Sequence, residues 1–288
     1  WNTLGSAMYG ANSFLLLAAV SQTQGVQVSG VFSLAWATAQ LLYIVGLFGV
    51  NYYQMTDYEK EYNFYEYAVV RIATSVLMLG IGVICCFFQS TIQKAIVLAL
   101  LTLYMAINTI AELFQNVLFQ NRRVALAGKS LFYRSFFCSA VFVVLQFVLK
   151  EVILSLVGMI VCNLITTVWF AQRPTGKYIT EQPSYNKSNL FLLLGKSLPL
   201  FISVFLMMFL VNSSRYGVEW VLDETMQGYW GMLFLPAQVI NLCSQGLFKP
   251  MVEEYYQILH KGDKNLFIQM MCRQCGVISV LTLGCAAA

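Results

Sequence analysis

A succession of long apolar stretches is the feature that most limits what this chain can fold into. Each stretch is about 20 residues long, which is the length that an α-helix needs to cross the hydrocarbon core of a bilayer. The stretches are too long and too continuously apolar for the alternating strands of a membrane barrel. We predict spans near residues 4–22, 27–50, 67–88, 92–113, 131–149, 152–171, 189–211 and 227–248, with a ninth that starts near 266.

The composition also indicates an all-α integral membrane protein. The 288 residues are 59% apolar and only 10% charged, whereas a soluble domain carries about a quarter charged residues. Scarce charge and scarce proline exclude a disordered or collagen-like chain. No stretch gathers the basic residues that a nucleic-acid binder presents on one face. Because the chain starts at Trp1 and stops inside an apolar run, we expect a piece of a longer protein, truncated at eight to nine spans.

The cysteines and the histidine give little basis for a metal or catalytic site. Cys272 and Cys275 form a CxxC pair, but no second pair and no nearby histidine accompany it. His260 is the single histidine of the sequence. We therefore predict no metal, no cofactor and no enzymatic activity.

Loop charge predicts the orientation, because Lys and Arg concentrate in the cytoplasmic loops of membrane proteins. With a cytoplasmic N-terminus, ten basic residues fall in the inner loops and three in the outer loops. The ten are Lys60, Arg122, Arg123, Lys129, Arg173, Lys177, Lys187, Lys249, Lys261 and Lys264, and the three are Lys94, Lys150 and Arg215. The bias predicts a multi-pass protein with its N-terminus in the cytoplasm.

A polar connection and a weak internal sequence repeat indicate that the chain has two halves. We predict an N-terminal lobe of six transmembrane helices over 1–172, a cytoplasmic linker over 173–188, and the start of a C-terminal lobe over 189–288. Gly30 and the pair Ala39-Gln40 in the second span match Gly228 and Ala237-Gln238 in the eighth, at one offset of 198 residues. Repeats of this kind are typical of transporters, whose substrate path lies between the repeats.

Several segments carry a resemblance to a known family. They are WNTLGSAMYGANSFLLLAAV (1–20), GVFSLAWATAQLL (30–42), GLFGVNYYQMTDYEKEYNFYEYAVVRI (46–72), FQNRRVALAGKSLFYRS (119–135) and SSRYGVEWVLDETMQGYWGMLFLPAQV (213–239). They resemble, in order, the first two spans, the second cytoplasmic loop, the loop between spans 4 and 5, and the start of the second lobe of that family. The family is the polysaccharide flippases of the O-antigen and capsule type, in the multidrug, oligosaccharidyl-lipid and polysaccharide exporter superfamily.

The resemblance implies a fold and a function. Two pseudo-symmetric helical lobes would surround a central cavity in the bacterial plasma membrane. The protein would move a polyprenyl-diphosphate-linked oligosaccharide from the cytoplasmic to the outer leaflet by alternating access, for cell-surface polysaccharide biosynthesis. A proton or a sodium ion would be the coupling ion.

Basic residues inside spans are the first candidates for substrate binding, because such charges usually face a cavity. Lys196 lies beside Pro199, which can kink the seventh span. Arg71 lies near the start of the third span and Arg134 near the start of the fifth. A guanidinium can hold two phosphate oxygens at once. The alternative is that these long side chains extend to the membrane surface, and Arg273 is a weaker candidate.

Polar and acidic residues complete the predicted site. Gln238 and Asn241 share one stripe of the eighth span, and Gln40 is the counterpart of Gln238 in the repeat. Such a stripe either lines a path or joins helices. Asp57 and Glu112 are candidate carboxylates for ion coupling, against the alternative of solvated helix ends.

Two other functions remain open. A drug or small-molecule exporter of the same superfamily would favour acidic residues in its cavity, whereas the charges within these spans are mainly Lys and Arg. A membrane-embedded glycan polymerase would need a histidine or paired carboxylates on one face.

Overall fold

The computed structural model describes residues 1–180, 182–184, 186–222, 225–233, 267–276 and 279. These residues form helices and connecting turns and include no strand. Seven of the described helical segments are long and apolar enough to cross a membrane. This part of the chain therefore has the architecture of a multi-pass helical membrane protein, as the apolar stretches predict.

The helices follow one another with short connections. Their bounds are α1 (Asn2–Leu47), α2 (Val50–Thr56), α3 (Phe64–Phe87), α4 (Ile92–Gln120), α5 (Val124–Leu149), α6 (Val152–Thr166), α7 (Arg173–Thr175) and α8 (Lys187–Val221). A π-helical turn joins α6 to α7, and a 3₁₀ turn follows, so that one span covers Val152–Tyr178. Residues 225–233 and 267–276 are helical as well.

Gly25 lies between the two spans that α1 contains, Asn2–Gln24 and Val26–Leu47. Its backbone has φ 84° and ψ −175°, which a residue with a side chain rarely adopts. No atom lies within 4 Å of the position that a Cβ would take, so the backbone angle rather than crowding accounts for the glycine. Gly25 interrupts the helix between the two spans.

Contacts at the two ends of the bundle show that the first span and α5 run in the same direction. At one end, the rings of Trp1 and Phe132 lie 6.0 Å apart, which brings the starts of α1 and α5 together. At the other end, the side chain of Gln24 donates a hydrogen bond to the carbonyl oxygen of Lys150. The turn after the first span therefore lies beside the turn after α5.

Several helices are longer than the apolar stretches that predict them. α4 ends at Gln120 rather than near 113, and α5 begins at Val124 rather than near 131. Hydropathy marks only the part of a helix that lies in hydrocarbon, while hydrogen bonding within the helix continues through the polar turns beyond it. The predicted eighth and ninth spans fall mostly outside the described residues.

Apolar side chains occupy both the interior and the outer surface of the bundle. Leu16, Phe32 and Phe142 are at most 1% exposed, whereas Phe87 and Phe88 are 83% and 84% exposed. A broad exposed apolar surface is what lipid contact requires and what a soluble protein avoids. The lipid-facing surface of the bundle therefore agrees with the span assignment.

The chain divides into two compact units, Trp1–Gly231 and Met232–Ala288. The first unit contains α1 to α8. Of the second unit, residues 232–233, 267–276 and 279 are described. The predicted boundary between lobes, at the linker 173–188, stays a prediction.

Candidate functional site

Arg71 lies two turns into α3 and is almost completely buried, with 1% of its surface exposed. Its Nη1 donates hydrogen bonds to the carbonyl oxygens of Gly46 and Leu47, at 3.3 and 3.0 Å. The last carbonyls of a helix lack partners within that helix, so Arg71 caps the C-terminal end of α1. Its Nε and Nη2 are buried and have no hydrogen-bond partner among the described residues.

Glu112 of α4 brings a carboxylate into the same interior. Its oxygens accept hydrogen bonds from the hydroxyl of Tyr43 and from Nδ2 of Asn51, the latter at 3.1 Å. Glu112 also interacts electrostatically with Arg71, without a direct ion pair in the described part of the chain. Tyr43, Asn51, Arg71 and Glu112 are called the Glu112 group below, and they connect α1, α2, α3 and α4.

Arg134 forms a second buried group on α5. It is 5% exposed, and its Nη2 donates a hydrogen bond to Oδ1 of Asn108 at 2.7 Å. Nδ2 of Asn163 donates to the same oxygen at 3.3 Å. Within the described chain, Nε of Arg134 and Nδ2 of Asn108 are buried without a partner. These three residues, called the Arg134 group, connect α4, α5 and α6.

Tyr9 connects the two groups. This residue of α1 interacts with Tyr43 and Glu112 in the Glu112 group and with Arg134 in the other. The five side chains that carry charge or a phenol here therefore share one electrostatic environment inside the first six spans.

The balance of charge in this interior is positive. Arg71 and Arg134 contribute two guanidinium groups, and Glu112 contributes one carboxylate. A charge taken out of water costs several kcal/mol unless partners compensate it, and the unpaired N–H groups of both arginines show that compensation is incomplete. Charges within spans are rare and usually mark a binding site or a path. This arrangement suits a negatively charged ligand better than a cation.

Lys196 lies outside both groups, near the start of α8. Its Nζ is 3.2 Å from Oε1 of Glu61 and 5.4 Å from the ring centroid of Tyr62. The side chains of Lys196 and Glu61 are 38% and 64% exposed, so this ion pair faces solvent or the membrane surface. The hydroxyl of Tyr53 donates to the carbonyl oxygen of Lys196 at 3.0 Å.

Asp57 organises the connection between α2 and α3. Its Oδ1 accepts a hydrogen bond from the backbone N–H of Glu61 at 2.8 Å. Its Oδ2 accepts one from the N–H of Tyr62 at 3.2 Å and one from the hydroxyl of Tyr67 at 2.9 Å. In this arrangement the carboxylate of Asp57 holds the loop in shape.

The remaining predicted residues are Gln40, Gln238, Asn241 and Arg273. Gln40 is half-buried, and its side chain has no hydrogen-bond partner among the described residues. Gln238 and Asn241 lie outside the described residues. Arg273 is exposed on the helix 267–276.

Glu66 is a conspicuous residue that the sequence reasoning missed. It is 4% exposed, and with Asn63 it forms a reciprocal cap at the start of α3. Its Oε1 also accepts hydrogen bonds from the backbone N–H of Asn186 at 3.0 Å and from Nδ2 of Asn189 at 2.8 Å. The spacing Asn-x-x-Glu signals the cap. Nothing in the local sequence signals the two asparagines 120 residues or more away.

Comparisons with known proteins add no assignment. No family model, no curated protein and no solved structure matches this chain. Within the described residues, no group of three His, Cys, Asp or Glu side chains could hold a metal ion. In the part of the chain that the structure describes, the buried charges of the first six spans are therefore the feature that bears most directly on function.

Proposed function

We propose that the protein is a flippase that moves a polyprenyl-diphosphate-linked oligosaccharide from the cytoplasmic to the outer leaflet of a bacterial plasma membrane. The observation that supports this proposal is the excess positive charge of Arg71 and Arg134 inside an apolar bundle. A diphosphate cannot enter hydrocarbon alone, because the desolvation of its charge is too costly. Fixed positive charge in the interior lowers that cost, so an anionic cargo gains most from this bundle.

In this proposal the cargo passes between two pseudo-symmetric lobes, one formed by 1–172 and one that begins at 189, joined by the linker 173–188. The N-terminus lies in the cytoplasm, and alternating access opens the central cavity to one side at a time. Arg71 and Arg134 attract the diphosphate, and Lys196 binds it where the seventh span begins. Gln40, Gln238 and Asn241 offer hydrogen bonds to the sugars.

Coupling to an ion gradient completes the proposal. Glu112 is the leading candidate, because its carboxylate interacts with Tyr43, Asn51 and Arg71 together. Binding of a proton or a sodium ion would neutralise it and raise the net positive charge beside the cargo. Asp57 is the second candidate. The protein carries out no chemical step on the cargo.

A reconstituted assay tests the proposal directly. The purified full-length protein is placed in liposomes with a polyprenyl-diphosphate oligosaccharide, and the sugar in the outer leaflet is measured by its oxidation with impermeant periodate. Arg134→Met and Arg71→Met each remove one buried positive charge and should each lower the initial rate at least about tenfold, as the loss of a charge-assisted contact predicts. Arg123→Met removes an exposed arginine and should leave the rate unchanged.

Two results would overturn the assignment. If the wild-type protein moves no lipid-linked sugar under a proton or a sodium gradient, the cargo is wrong, and a small-molecule exporter becomes the leading function. If the wild type is active but both buried arginines can be replaced without loss while the variants stay folded, the interior charge does not serve the cargo.

A further inference from the structure

Polar contacts join the starts of α3 and α8, between residues that are more than 100 positions apart in the sequence. Oε1 of Glu66 accepts hydrogen bonds from the backbone N–H of Asn186 and the side chain of Asn189. Nδ2 of Asn63 donates to the carbonyl oxygen of Gln182 at 3.1 Å and to Oγ of Ser184 at 3.2 Å. One cap at the start of α3 therefore also holds the chain that leads into α8.

The connection between α2 and α3 also contacts α8 beyond its first turn. The ion pair of Lys196 with Glu61 comes two turns after Asn189, on the side of α8 that faces the connection between α2 and α3. Below it, Leu193 is completely buried in an apolar cluster with Val50, Tyr62 and Tyr67. Hydrogen bonds, an ion pair and apolar packing therefore all hold the first turns of α8.

Beyond these first turns, most of the apolar part of α8 is exposed, although Asn212 and Arg215 near its end are buried again. Only 11% of its apolar window is buried, compared with 33% to 72% for the other six spans. One ring stack, between Phe48 and Phe201 at 4.5 Å, joins α8 to the turn after α1. The start of α8 is therefore one of the places where α8 is attached to the first six spans, and water can replace the polar contacts there.

We infer that residues 57–66 form a latch that releases α8 from the first six spans, with Glu66 and Glu61 as its two fastening groups. Closed, the latch joins the start of α3 to residues 186–196. Open, it exposes the start of α8 while the cap of α3 by Asn63 and Glu66 persists. This latch goes beyond the proposed function, because it concerns the contacts that hold α8. Its test needs no transport measurement.

Hydrogen–deuterium exchange on the purified full-length protein tests the latch. Asn189→Ala removes a bond to Glu66 and leaves the cap of α3 intact, so exchange over 186–196 should quicken about tenfold. Glu61→Lys and Lys196→Glu each replace attraction with repulsion and should quicken exchange there about fivefold or more. The double variant Glu61→Lys with Lys196→Glu restores an opposite-charge pair and should return exchange to within about twofold of the wild type.

Matched controls separate a latch from a general loss of stability. Glu59→Lys changes an exposed acid of the same connection, which makes no described contact with α8, and it should leave exchange over 186–196 unchanged. Exchange over 124–149 reports on α5, which belongs to the same unit. Equal acceleration in α5 and at the start of α8, or no acceleration in any latch variant, would overturn the inference.

Discussion

The electrostatic coupling of Glu112 with Arg71 gives a direct test of the charge balance inside the first six spans. Glu112→Gln keeps the shape of the side chain, removes its charge and leaves both buried guanidiniums without this carboxylate. A direct ion pair at 4 Å contributes roughly 4 kcal/mol at an effective dielectric constant of 20. Because no direct pair is present in the described chain, we expect a coupling of about 1–3 kcal/mol.

The total cost of Glu112→Gln should be larger than the coupling alone. The amide can replace only one of the two carboxylate oxygens that accept from Tyr43 and Asn51, so one hydrogen bond to a charged group is lost as well. Such a bond contributes about 1.5–3 kcal/mol. We therefore expect the free energy of unfolding to fall by about 2.5–6 kcal/mol.

A double-mutant cycle measures the coupling itself. Chemical denaturation in detergent gives the free energy of unfolding for the wild type, Glu112→Gln, Arg71→Met and the double variant. Tyr43→Phe is the matched control, because it removes one hydrogen bond and keeps the carboxylate. The double variant should be more stable than the sum of the single losses predicts. Single losses that add to within about 0.5 kcal/mol would refute the reasoning.

Two further predictions concern packing and pH. Gly46→Ala should lower the free energy of unfolding by about 1–3 kcal/mol, because the new Cβ would lie 2.7 Å from Sδ of Met78 and 2.9 Å from Cγ2 of Thr109. Gly80→Ala is the control, since no atom lies within 4 Å of its Cβ position, and it should not lower the stability. Equal thermal midpoints for the two variants would contradict this prediction. Burial and the charge of Glu112 raise the pKa of Tyr52 above 10.0, so its contribution to stability is present below about pH 10 and is lost as the pH rises through the raised pKa. Tyr52→Phe should therefore lose less stability than the wild type above about pH 10, as measured by denaturation in alkaline buffers, and an identical loss would exclude the effect.

The spans could be predicted from sequence because hydropathy is a local property. The first seven predicted stretches each overlap a long apolar helix of the structure, although the second, 27–50, runs past the end of α1 at Leu47. The ends could not be predicted as well, since α4 runs through the polar residues Gln115 and Asn116. Both are buried between helices, and burial against neighbouring helices is invisible to a hydropathy window. By contrast, the turn at Gly25 lies in the gap between the predicted stretches 4–22 and 27–50, so hydropathy alone locates it.

The candidate site shows the same limit. Arg71, Arg134 and Glu112 could be selected from the sequence, because a charge within an apolar stretch is conspicuous. Their partners could not, because Asn108 and Tyr43 are ordinary polar residues of a span until packing brings them into register. Packing also determines that Lys196 meets Glu61, a contact between residues 135 positions apart. Local patterns identify the charges, and only the fold reveals which of them share an interior.

α3 carries both Glu66, a fastening group of the latch, and the buried charge of Arg71. Because one helix holds both residues, we expect opening of the latch to move Arg71. Glu66 and Arg71 are five residues apart, about 7.5 Å along the helix axis. Arg71 holds the end of α1 through Gly46 and Leu47, so a shift of α3 moves its guanidinium relative to Glu112. Packed interiors rearrange between discrete states rather than deforming continuously. Hydrogen exchange over 64–75 should therefore quicken in Asn189→Ala together with that over 186–196, and exchange confined to 186–196 would show that the latch opens without moving Arg71.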